Sequence, residues 1–477
     1  MVNRKTKIIA TIGPATGDRE TIGRLVAAGM DVARLNFSHG DRETHRTWAA
    51  WVHEAAAEQG RAVAVLQDIQ GPRIRVGTFP GGSVELAEGA SVELIDGAGE
   101  GDGGQIFVGN LTDAHLSAGS TVVLADGSIF LKVTGGEGSR LQAEVVQGGE
   151  LSDRKGVAFP GADLTLPAIT DKDREDLAFG IEIGADLIAA SFVTSAADIE
   201  AVREVVDGTP VIAKIERARA YENLDEILEA ADGAMVARGD LGVELGYEHL
   251  PLAQKDIIAR TNHAGRISIT ATEMLESMTS SRRPTRAEVT DVANAVLDGT
   301  DAVMLSAETA IGQYPVRAVE VMARLCLEIE SSPVYGGGPD VEFVRSEAGF
   351  SSAIAKACAD TADSLGLDTV VAFTESGNTA LLVSKYRPRS RIVAFTPDEH
   401  TYRRMALMWG VTPLRFSRLE STDEMISTAD RVLRDEGIVH DGEWVAMTAG
   451  IPPNRRASTN ILKLHVIGMG SPGIPDN

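Results

Sequence analysis

One pattern recurs along this chain and limits the folds open to it: a helical stretch, a Gly or Asp turn, and a short apolar run. Four runs follow this pattern: Val32–Asn36, 187–191, 234–238 and 302–306. Four further runs fit the same interpretation: Lys7–Ile12, 63–68, Val211–Ile215 and 267–270. Such runs are typical of strands buried on both faces and covered by helices. Eight of them predict a (β/α)8 TIM barrel. An open doubly wound sheet is the competing α/β fold, for which eight strands is a high number.

Two further regions interrupt or follow this repeat. Residues 71–158 are rich in Gly, Val and Glu and predict a small β domain, a β-barrel, inserted in a barrel loop. Its predicted strands are the short alternating runs over 84–86, 91–95, 105–108, 121–124 and 141–146. It falls on the face where barrel active sites lie, so we expect it to act as a lid. After a Pro- and Gly-rich linker, residues 340–477 predict a separate C-terminal α/β domain, with strands over 369–373, 391–395, 444–448 and 462–467. The barrel itself is assigned to residues 1–70 and 159–335.

The overall charge of the chain limits the classes of partner that it can bind. The 477 residues include 45 Lys and Arg against 69 Asp and Glu, a formal net charge of −24. This charge repels phosphate backbones and anionic lipid, so we expect neither a nucleic-acid nor a membrane partner. A small anionic substrate remains compatible with it, since a pocket can be locally cationic. The first residues lack a signal-peptide core and no long apolar run follows, which predicts a cytoplasmic protein.

Polar residues end or directly follow most of the predicted strands. Those that we select as candidate site residues are Arg34, Asn36, Ser38, Asp68, Lys214, Glu216, Asp240 and Thr272. Taken singly, each is most simply a solvated loop residue or an ion-pair partner. Taken together, they would place several costly groups in one barrel mouth unless they meet partners, a metal ion or a substrate.

The types of these residues indicate a chemistry. Glu216 and Asp240 are carboxylates without His or Cys nearby, which suits Mg²⁺ better than zinc. Arg34 and Lys214 are cations that would face the metal ion. Two cations with Mg²⁺ are what phosphoryl transfer requires, because its transition state is stabilised mainly by positioning and charge. Thr272 is open to two interpretations, as a participant in the chemistry or as the N-cap of a helix that begins at Glu273.

Longer motifs built around these residues closely resemble the pyruvate kinases. The segments that carry the resemblance are 4–14, 30–40, 68–72, 213–216, 235–244, 271–278 and 284–295. They follow one another in order over nearly the whole chain. The resemblance implies a barrel, an inserted β lid domain and a C-terminal regulatory domain, usually assembled as a homotetramer. It also implies Mg²⁺-dependent transfer of the phosphoryl group of phosphoenolpyruvate to ADP, which gives ATP and pyruvate.

The same resemblance implies roles for single residues. Lys214 would steady the phosphoryl group in transfer, and Arg34 would bind the phosphate. Glu216 and Asp240 would hold Mg²⁺. The Gly239 backbone would bind the substrate carboxylate beside Asp240. Thr272 would help to deliver a proton to the enolate carbon.

Further residues are implied for the nucleotide and for a monovalent cation. Arg75 and Lys155 lie at the predicted lid hinges and would contact the nucleotide phosphates. The residues implied beside the nucleotide are Pro14, Asn36 and His39. The residues implied for a monovalent-cation pocket are Asn36, Ser38 and Asp68.

Two positions depart from the potassium-dependent members of the family. Arg73 stands where those members have a glutamate, and Ile69 stands where threonine is frequent. A guanidinium would repel a second cation beside it. We therefore expect an enzyme that needs Mg²⁺ but not K⁺, with only a vestigial monovalent-cation pocket.

The C-terminal domain contains a candidate effector site. Its residues are Thr374, Ser376, Gly377, Asn378 and Thr379, ahead of a predicted helix over 380–385. The segment resembles a phosphate cradle at a helix N-terminus, suited to a sugar phosphate or a nucleoside monophosphate. A plain N-cap turn explains it equally well. The loop over 449–460 lacks later glycines common in relatives, which leaves the identity of the effector open.

Two other functions compete with this interpretation. The first is another Mg²⁺-dependent barrel enzyme that acts on the enolate of a small keto acid, such as an aldolase or lyase. It would have no use for the lid, Lys155 or Arg75. The second is an effector-binding sensor with an inactive barrel, which the intact catalytic positions disfavour.

Overall fold

The computed structural model describes residues 4–162, 164, 166–335, 349–418, 421–451 and 458–469. Its strands are β1 (Lys7–Ile12), β2 (Val32–Asn36), β3 (Ala64–Asp68), β4 (Ser83–Leu86), β5 (Ser91–Asp96), β6 (Gln105–Val108), β7 (Thr121–Leu124), β8 (Ile129–Glu137), β9 (Arg140–Gln147), β10 (Gly149–Ser152), β11 (Val157–Ala158), β12 (Leu187–Ala190), β13 (Val211–Ile215), β14 (Gly233–Ala237), β15 (Ile267–Ala271), β16 (Ala302–Leu305), β17 (Thr369–Phe373), β18 (Arg391–Thr396), β19 (Val411–Arg415), β20 (Trp444–Ala449) and β21 (Ile461–Val466).

Helices alternate with these strands over much of the chain. They are α1 (Arg19–Ala28), α2 (Arg42–Glu58), α3 (Asp171–Glu182), α4 (Ala196–Arg203), α5 (Ala218–Glu222), α6 (Leu224–Ala230), α7 (Arg238–Leu245), α8 (Leu250–His263), α9 (Arg286–Leu297), α10 (Ala307–Ala310), α11 (Pro315–Glu330), α12 (Gly349–Leu365), α13 (Asn378–Lys385), α14 (Glu399–Arg404) and α15 (Thr422–Asp435). Within the described ranges, no helix has the length and apolar character needed to cross a membrane.

Eight strands close into a parallel barrel, in the order β1-β16-β15-β14-β13-β12-β3-β2. Each of the eight predicted runs is one of these strands, and their bounds differ from the prediction by at most one residue. Strand β1 is buried along its whole length and pairs on both sides, with Ile9 opposite Met304 on one neighbour and Val32 on the other. The predicted (β/α)8 barrel is confirmed, and the open sheet is excluded.

The chain divides into two compact units. The first unit comprises Met1–Gln67, Gly180–Ile188 and Ile258–Asn477, and the second comprises Asp68–Phe179 and Ala189–Ile257. The barrel strands are shared between them. The three-domain division of the sequence is finer than this one and stays a prediction.

The first unit carries a second sheet, with strand order β19-β18-β17-β20-β21. Its pairs are parallel except for β21, which runs antiparallel to β20. Val371, Phe373, Val393 and Phe395 pack beneath α15 in an apolar core. This confirms the C-terminal α/β domain. The edge strand β19 was not predicted, because it contains Pro413 and buries little of its length.

A cluster of buried ion pairs ties that sheet to the barrel strands of the first unit. Lys385, the last residue of α13, and Arg387 both pair with Asp301, which precedes β16. Lys385 is fully buried and also donates to the Asn262 side chain at 2.9 Å. Lys7 of β1 donates to the Val411 carbonyl at 2.7 Å. These contacts cross between elements far apart in the sequence.

The second unit contains the inserted β region. Six strands form a sheet in the order β11-β7-β8-β9-β5-β6, and β10 pairs with β4 in a second, two-stranded sheet. The inserted region is therefore β, as predicted, with its described strands in two sheets rather than in one closed barrel. Strands β8, β10 and β11 were not predicted. In β8 the alternation of buried and more exposed residues is clear over 129–134 and ends at the pair Gly135-Gly136.

Candidate active site

The ends of three neighbouring barrel strands bring three side chains of the second unit together around the Lys214 ammonium. Lys214 Nζ lies 2.8 Å from Glu216 Oε1 and 3.2 Å from Asp68 Oδ1. It donates a third hydrogen bond to Ser191 Oγ at 2.7 Å. Lys214 and Glu216 alternate along the end of β13, so both point to the same side of the barrel wall, as predicted. Asp68 ends β3, and Ser191 follows β12.

The negative charge of Glu216 is only partly offset by Lys214 in this cluster. Its side chain is 2% exposed. Burial raises the pKa of Glu216, Lys214 counteracts this in part, and the neighbouring Asp240 raises the pKa further. Because a buried carboxylate of this kind gains from an added positive charge, the site favours a cation.

The donor set fits Mg²⁺. In the part of the chain that the structure describes, no group of three or more His, Cys, Asp or Glu side chains is placed to hold a metal ion. Glu216 and Asp240 line the same cavity and offer two carboxylates. Magnesium is typically bound through one or two protein carboxylates, with water and substrate phosphate completing its octahedron. A chelating protein cage is therefore not needed here.

Gly239 and Asp240 lie in the first turn of α7, because β14 ends at Ala237 and helix α7 begins at Arg238. The sequence had placed Arg238 at the end of the strand. Backbone N–H groups in a first helical turn point out along the axis and attract negative charge. This position suits the binding of a substrate carboxylate.

A cavity of about 390 Å³ opens beside these residues, entirely within the second unit. Glu216, Arg217 and Asp240 line it from the barrel side, and Arg73 and Asp126 line it from the inserted region. Arg73 forms an ion pair with Asp126, which lies in a tight turn after β7. The guanidinium of Arg73 therefore lies at the cavity wall. The Asp126 carboxylate of the inserted region offsets part of its charge.

The two connections to the inserted region lie side by side. Arg75 and Gly156 form an isolated antiparallel bridge, and the Val76 N–H donates to the Lys155 carbonyl at 2.9 Å. Burial, together with the nearby Arg73, lowers the pKa of Arg75. The structure thus brings together Arg75 and Lys155, the two predicted phosphate contacts.

In the first unit, the end of β2 presents the predicted cationic and polar residues. Arg34 Nη1 donates to Thr11 Oγ1 on β1 at 3.0 Å. Asn36 Oδ1 accepts a hydrogen bond from the Ser38 N–H at 3.1 Å, which fixes the turn after the strand. His39 lies exposed in that turn. Pro14, after β1, is also exposed.

The N-cap interpretation of Thr272 is wrong. Thr272 and Glu273 have φ values of +68° and +54°, so the backbone after β15 enters the left-handed region instead of a helix. The next helical element is a 3₁₀ turn that begins at Glu276. The Thr272 hydroxyl donates to the Ala271 carbonyl at 2.6 Å. A strained pair of this kind is typical of functional loops.

Sequence reasoning missed three residues. Glu308 is fully buried and accepts the N–H groups of Leu275 at 2.9 Å and Ser306 at 2.6 Å, which holds the loop after β15. Ser306 Oγ is buried and has no hydrogen-bond partner among the described residues. Ser191 contacts Lys214. A signal existed for the two serines, because each ends one of the predicted runs, as Asp68 does.

The candidate effector segment forms a compact turn. Thr374 Oγ1 accepts the Gly377 N–H at 2.9 Å, and Gly377 has a φ of +89° immediately before α13. Thr379 shares a hydrogen bond of 2.8 Å with Thr459 across to the strand β21 region. Ser376 and Asn378 are exposed. Residues 452–457 of the loop over 449–460 lie outside the described residues.

Comparison with known proteins identifies the family. Residues 3–319 match the pyruvate kinase barrel domain, and residues 352–465 match the pyruvate kinase alpha/beta domain. A pyruvate kinase of Geobacillus stearothermophilus is 44% identical over 98% of this chain and 81% of its own length. One of Mycobacterium tuberculosis is 42% identical over 98% of this chain and 99% of its own length. A crystal structure of a pyruvate kinase from Cryptosporidium parvum superposes with a TM-score of 0.89 at 36% identity, covering 98% of this chain and 96% of that one.

These matches set aside both the aldolase or lyase alternative and the inactive sensor. They span both the barrel and the C-terminal domain, in the order that the sequence motifs predicted. Pyruvate kinases use a divalent metal ion, typically Mg²⁺, which agrees with the two carboxylates of the second unit. The chain belongs to the pyruvate kinase family and transfers the phosphoryl group of phosphoenolpyruvate to ADP, giving pyruvate and ATP in the last step of glycolysis.

Proposed function

We propose that Lys214, Glu216 and Asp240 form the phosphoryl-transfer centre of this enzyme. The observation that carries the proposal is the Lys214 ammonium, held 2.8 Å from a buried carboxylate that lacks sufficient positive charge. Glu216 and Asp240 would hold Mg²⁺. When bound there, Mg²⁺ supplies positive charge to the phosphoryl oxygens and to the oxygen that leaves with the enolate.

Lys214 stabilises charge during transfer. Its ammonium is a compact point charge on a flexible stem, so it can follow the phosphoryl group between donor and acceptor. The chain around it is buried, which strengthens its field relative to bulk water. Because this charge matters most as the phosphoryl group moves, Lys214 contributes to kcat more than to substrate binding.

The remaining substrate roles follow the family pattern. Arg34 binds the phosphate as a planar fork donor, and the Gly239 backbone binds the carboxylate at the start of α7. Thr272 helps to deliver the proton that converts enolpyruvate to pyruvate. Its left-handed backbone and the buried Glu308 behind its loop support a fixed position for the hydroxyl.

ADP binds at the lid hinges in this proposal. Arg75 and Lys155 contact its phosphates, and the residues beside the nucleotide are Pro14, Asn36 and His39. The adjacency of the two hinge segments supports this assignment. Closure of the inserted region would exclude water, which otherwise competes with ADP for the phosphoryl group.

We further propose that the enzyme does not require K⁺. Arg73 brings a permanent positive charge to the cavity that Glu216 and Asp240 line. Its pairing with Asp126 weakens that charge without removing it. Asn36, Ser38 and Asp68 would form the vestigial monovalent-cation pocket.

Regulation and assembly complete the proposal. The segment from Thr374 to Thr379 would bind the phosphate of an effector, either a sugar phosphate or a nucleoside monophosphate, at the start of α13. By its resemblance to the family, the enzyme would be a homotetramer and would work in the cytoplasm with the other enzymes of glycolysis.

The test of the phosphoryl-transfer centre is Lys214→Met, with ADP-dependent pyruvate formation as the measurement. We expect kcat to fall by about 10³-fold or more, the size of effect that a transition-state cation has in phosphoryl transfer. Lys172→Met is the matched control, because Lys172 is an exposed lysine of α3 that also pairs with a buried carboxylate, that of Asp176. Near-normal kcat in a folded Lys214→Met protein would refute the assignment.

A further inference from the structure

Ser191 is a buried hydroxyl that the mechanism above does not use. It lies at the junction of three strands, and it is 2% exposed. Its hydroxyl donates to the Ile69 carbonyl at 2.7 Å, with Asp68 Oδ1 at 3.2 Å as a second acceptor. Since a hydroxyl has a single hydrogen, its remaining lone pair is available to the Lys214 ammonium, which donates to it at 2.7 Å.

The backbone holds Ser191 rigidly. Phe192 has a φ of +57°, and this left-handed turn directs its N–H to Glu216 Oε2 at 2.7 Å. Gly71 packs directly against the segment, because a Cβ at Gly71 would lie 2.8 Å from the Ser191 carbonyl oxygen and 3.0 Å from its Cβ. Ser191 and Phe192 thus fix Lys214 and Glu216 from the neighbouring strand.

Three described acceptors of Lys214, namely Glu216, Asp68 and Ser191, differ in charge. Glu216 and Asp68 are carboxylates, which hold the ammonium but also offset its positive charge. Ser191 is neutral and holds the ammonium without that loss. If Mg²⁺ takes Glu216, Ser191 still anchors the ammonium while leaving most of its charge for the phosphoryl group.

We propose that Ser191 is a positioning residue for phosphoryl transfer, which sets the place of the Lys214 ammonium through its hydroxyl. The proposal rests on the role of Lys214 proposed above. Lysine has four rotatable side-chain bonds, and a displacement of about 1 Å in a reacting geometry can cost about 10²-fold in rate. A fixed neutral acceptor removes that freedom.

The first test is Ser191→Ala in the full-length enzyme. We expect kcat to fall by about 10- to 100-fold, with KM for phosphoenolpyruvate changed by less than about threefold. Binding of Mn²⁺ to the enzyme, followed by electron paramagnetic resonance of the free ion, is expected to be unchanged. Unchanged kcat would overturn the proposal, and so would a loss confined to KM or to Mn²⁺ affinity.

Ser390→Ala is the matched control. Ser390 is also 2% exposed, and its hydroxyl donates to the Leu367 carbonyl at 2.5 Å, far along the chain from the active site. It reproduces the loss of a buried serine hydrogen bond without touching Lys214. If Ser191→Ala does not fold, Ser191→Cys is the substitute, because sulfur fills the space but is a weak acceptor, and the same fall in kcat is expected.

A double-mutant cycle with Lys214→Met separates positioning from a general structural role. Ser191→Ala should cost no further activity in the Lys214→Met background, measured in single turnovers at high enzyme concentration. An equal loss in both backgrounds would overturn the positioning role. If Lys214→Met alone retained normal kcat, the phosphoryl-transfer assignment would fail, and Ser191 could not act through Lys214.

Discussion

The two units each bury a carboxylate next to a barrel strand, yet the surroundings shift the pKa values of the two carboxylates in opposite directions. Asp301 in the first unit is 1% exposed, and Glu216 in the second is 2% exposed. Burial alone would raise the pKa of Asp301, but the charges of Lys385 and Arg387 and the hydrogen bonds around it lower that pKa overall. Burial raises the pKa of Glu216, and Lys214, which forms an ion pair with it, also pairs with Asp68.

The difference separates a structural ion cluster from a site prepared for ligands. Around Asp301, two cationic side chains face one anionic side chain, and the cluster fastens the end of α13 to the barrel. Lys214 pairs with two carboxylates, Glu216 and Asp68, while Asp240 and Arg217 lie near Glu216. A buried group left short of opposite charge is stabilised by whatever brings that charge, which in the proposed site would be the metal ion.

The largest expected effect is on the free energy of unfolding, when Asp301 or Glu216 is replaced by its uncharged amide. Asp301→Asn should destabilise the fold by about 3–5 kcal/mol, because Lys385 and Arg387 would remain buried without their partner. Glu216→Gln should change stability by less than about 1 kcal/mol, because a raised pKa means that the ionised carboxylate already opposes folding. Chemical denaturation of both variants at pH 7 is the measurement. Equal losses would break the comparison.

A second buried carboxylate of the first unit, Asp186, lies beside basic side chains and should make the stability of the fold depend on pH. Asp186 is fully buried and pairs with Arg403 of α14 at 2.8 Å. Burial alone would raise the pKa of Asp186, but His400, His53 and Arg403 lower it to about 2.

Because this folded-state pKa lies below the ordinary value of 3.8, the stabilisation is present above pH 3.8 and is lost as the pH falls toward 2. The shift corresponds to about 2 kcal/mol. Denaturation of the parent and of Asp186→Asn at pH 7, 4 and 2.5 should show a difference that shrinks with acid. A difference independent of pH would show that Asp186 acts through packing alone.

The smallest expected effect concerns the K⁺ requirement of the enzyme. Arg73→Glu should create a K⁺ requirement, with about tenfold activation by K⁺, which corresponds to about 1.4 kcal/mol of charge stabilisation. Activity is measured in tetramethylammonium buffer with K⁺ titrated in. Arg140→Glu is the control, because Arg140 pairs with Glu93 on the exposed lid surface. A parent enzyme that is inactive without K⁺ would contradict the proposal.

The barrel was predictable because its strands are buried on both faces and so appear in the sequence as continuous apolar runs. Strands that lie at a sheet edge or are very short were harder to predict. Strand β19 is an edge strand with Pro413, and β11 has only two residues. The weak pattern of such strands is shared by ordinary loops.

The charged candidate residues could be selected from the sequence because charges are costly at the ends of buried strands. The contacts that position them were not. Ser191 gains its role only where β12 meets β13, and Glu308 acts on backbone N–H groups that any residue would provide. The backbone of Thr272 could not be foreseen, because a left-handed φ without glycine is set by the surrounding structure. The partner of Arg73 lies 53 residues away.

The pairing of β1 with β16 has a consequence for the synthesis of the chain. Thr11 of β1 donates to the Leu305 carbonyl, which is made 294 residues later, and Lys7 donates to Val411, made 404 residues later. At about 5–20 residues per second, a ribosome leaves β1 waiting roughly 15–60 s for β16. During that interval one edge of an apolar strand has no partner, which is the condition for pairing with other chains. We therefore expect aggregation of the nascent chain to be most easily started at its first strand for as long as its last barrel strand is missing.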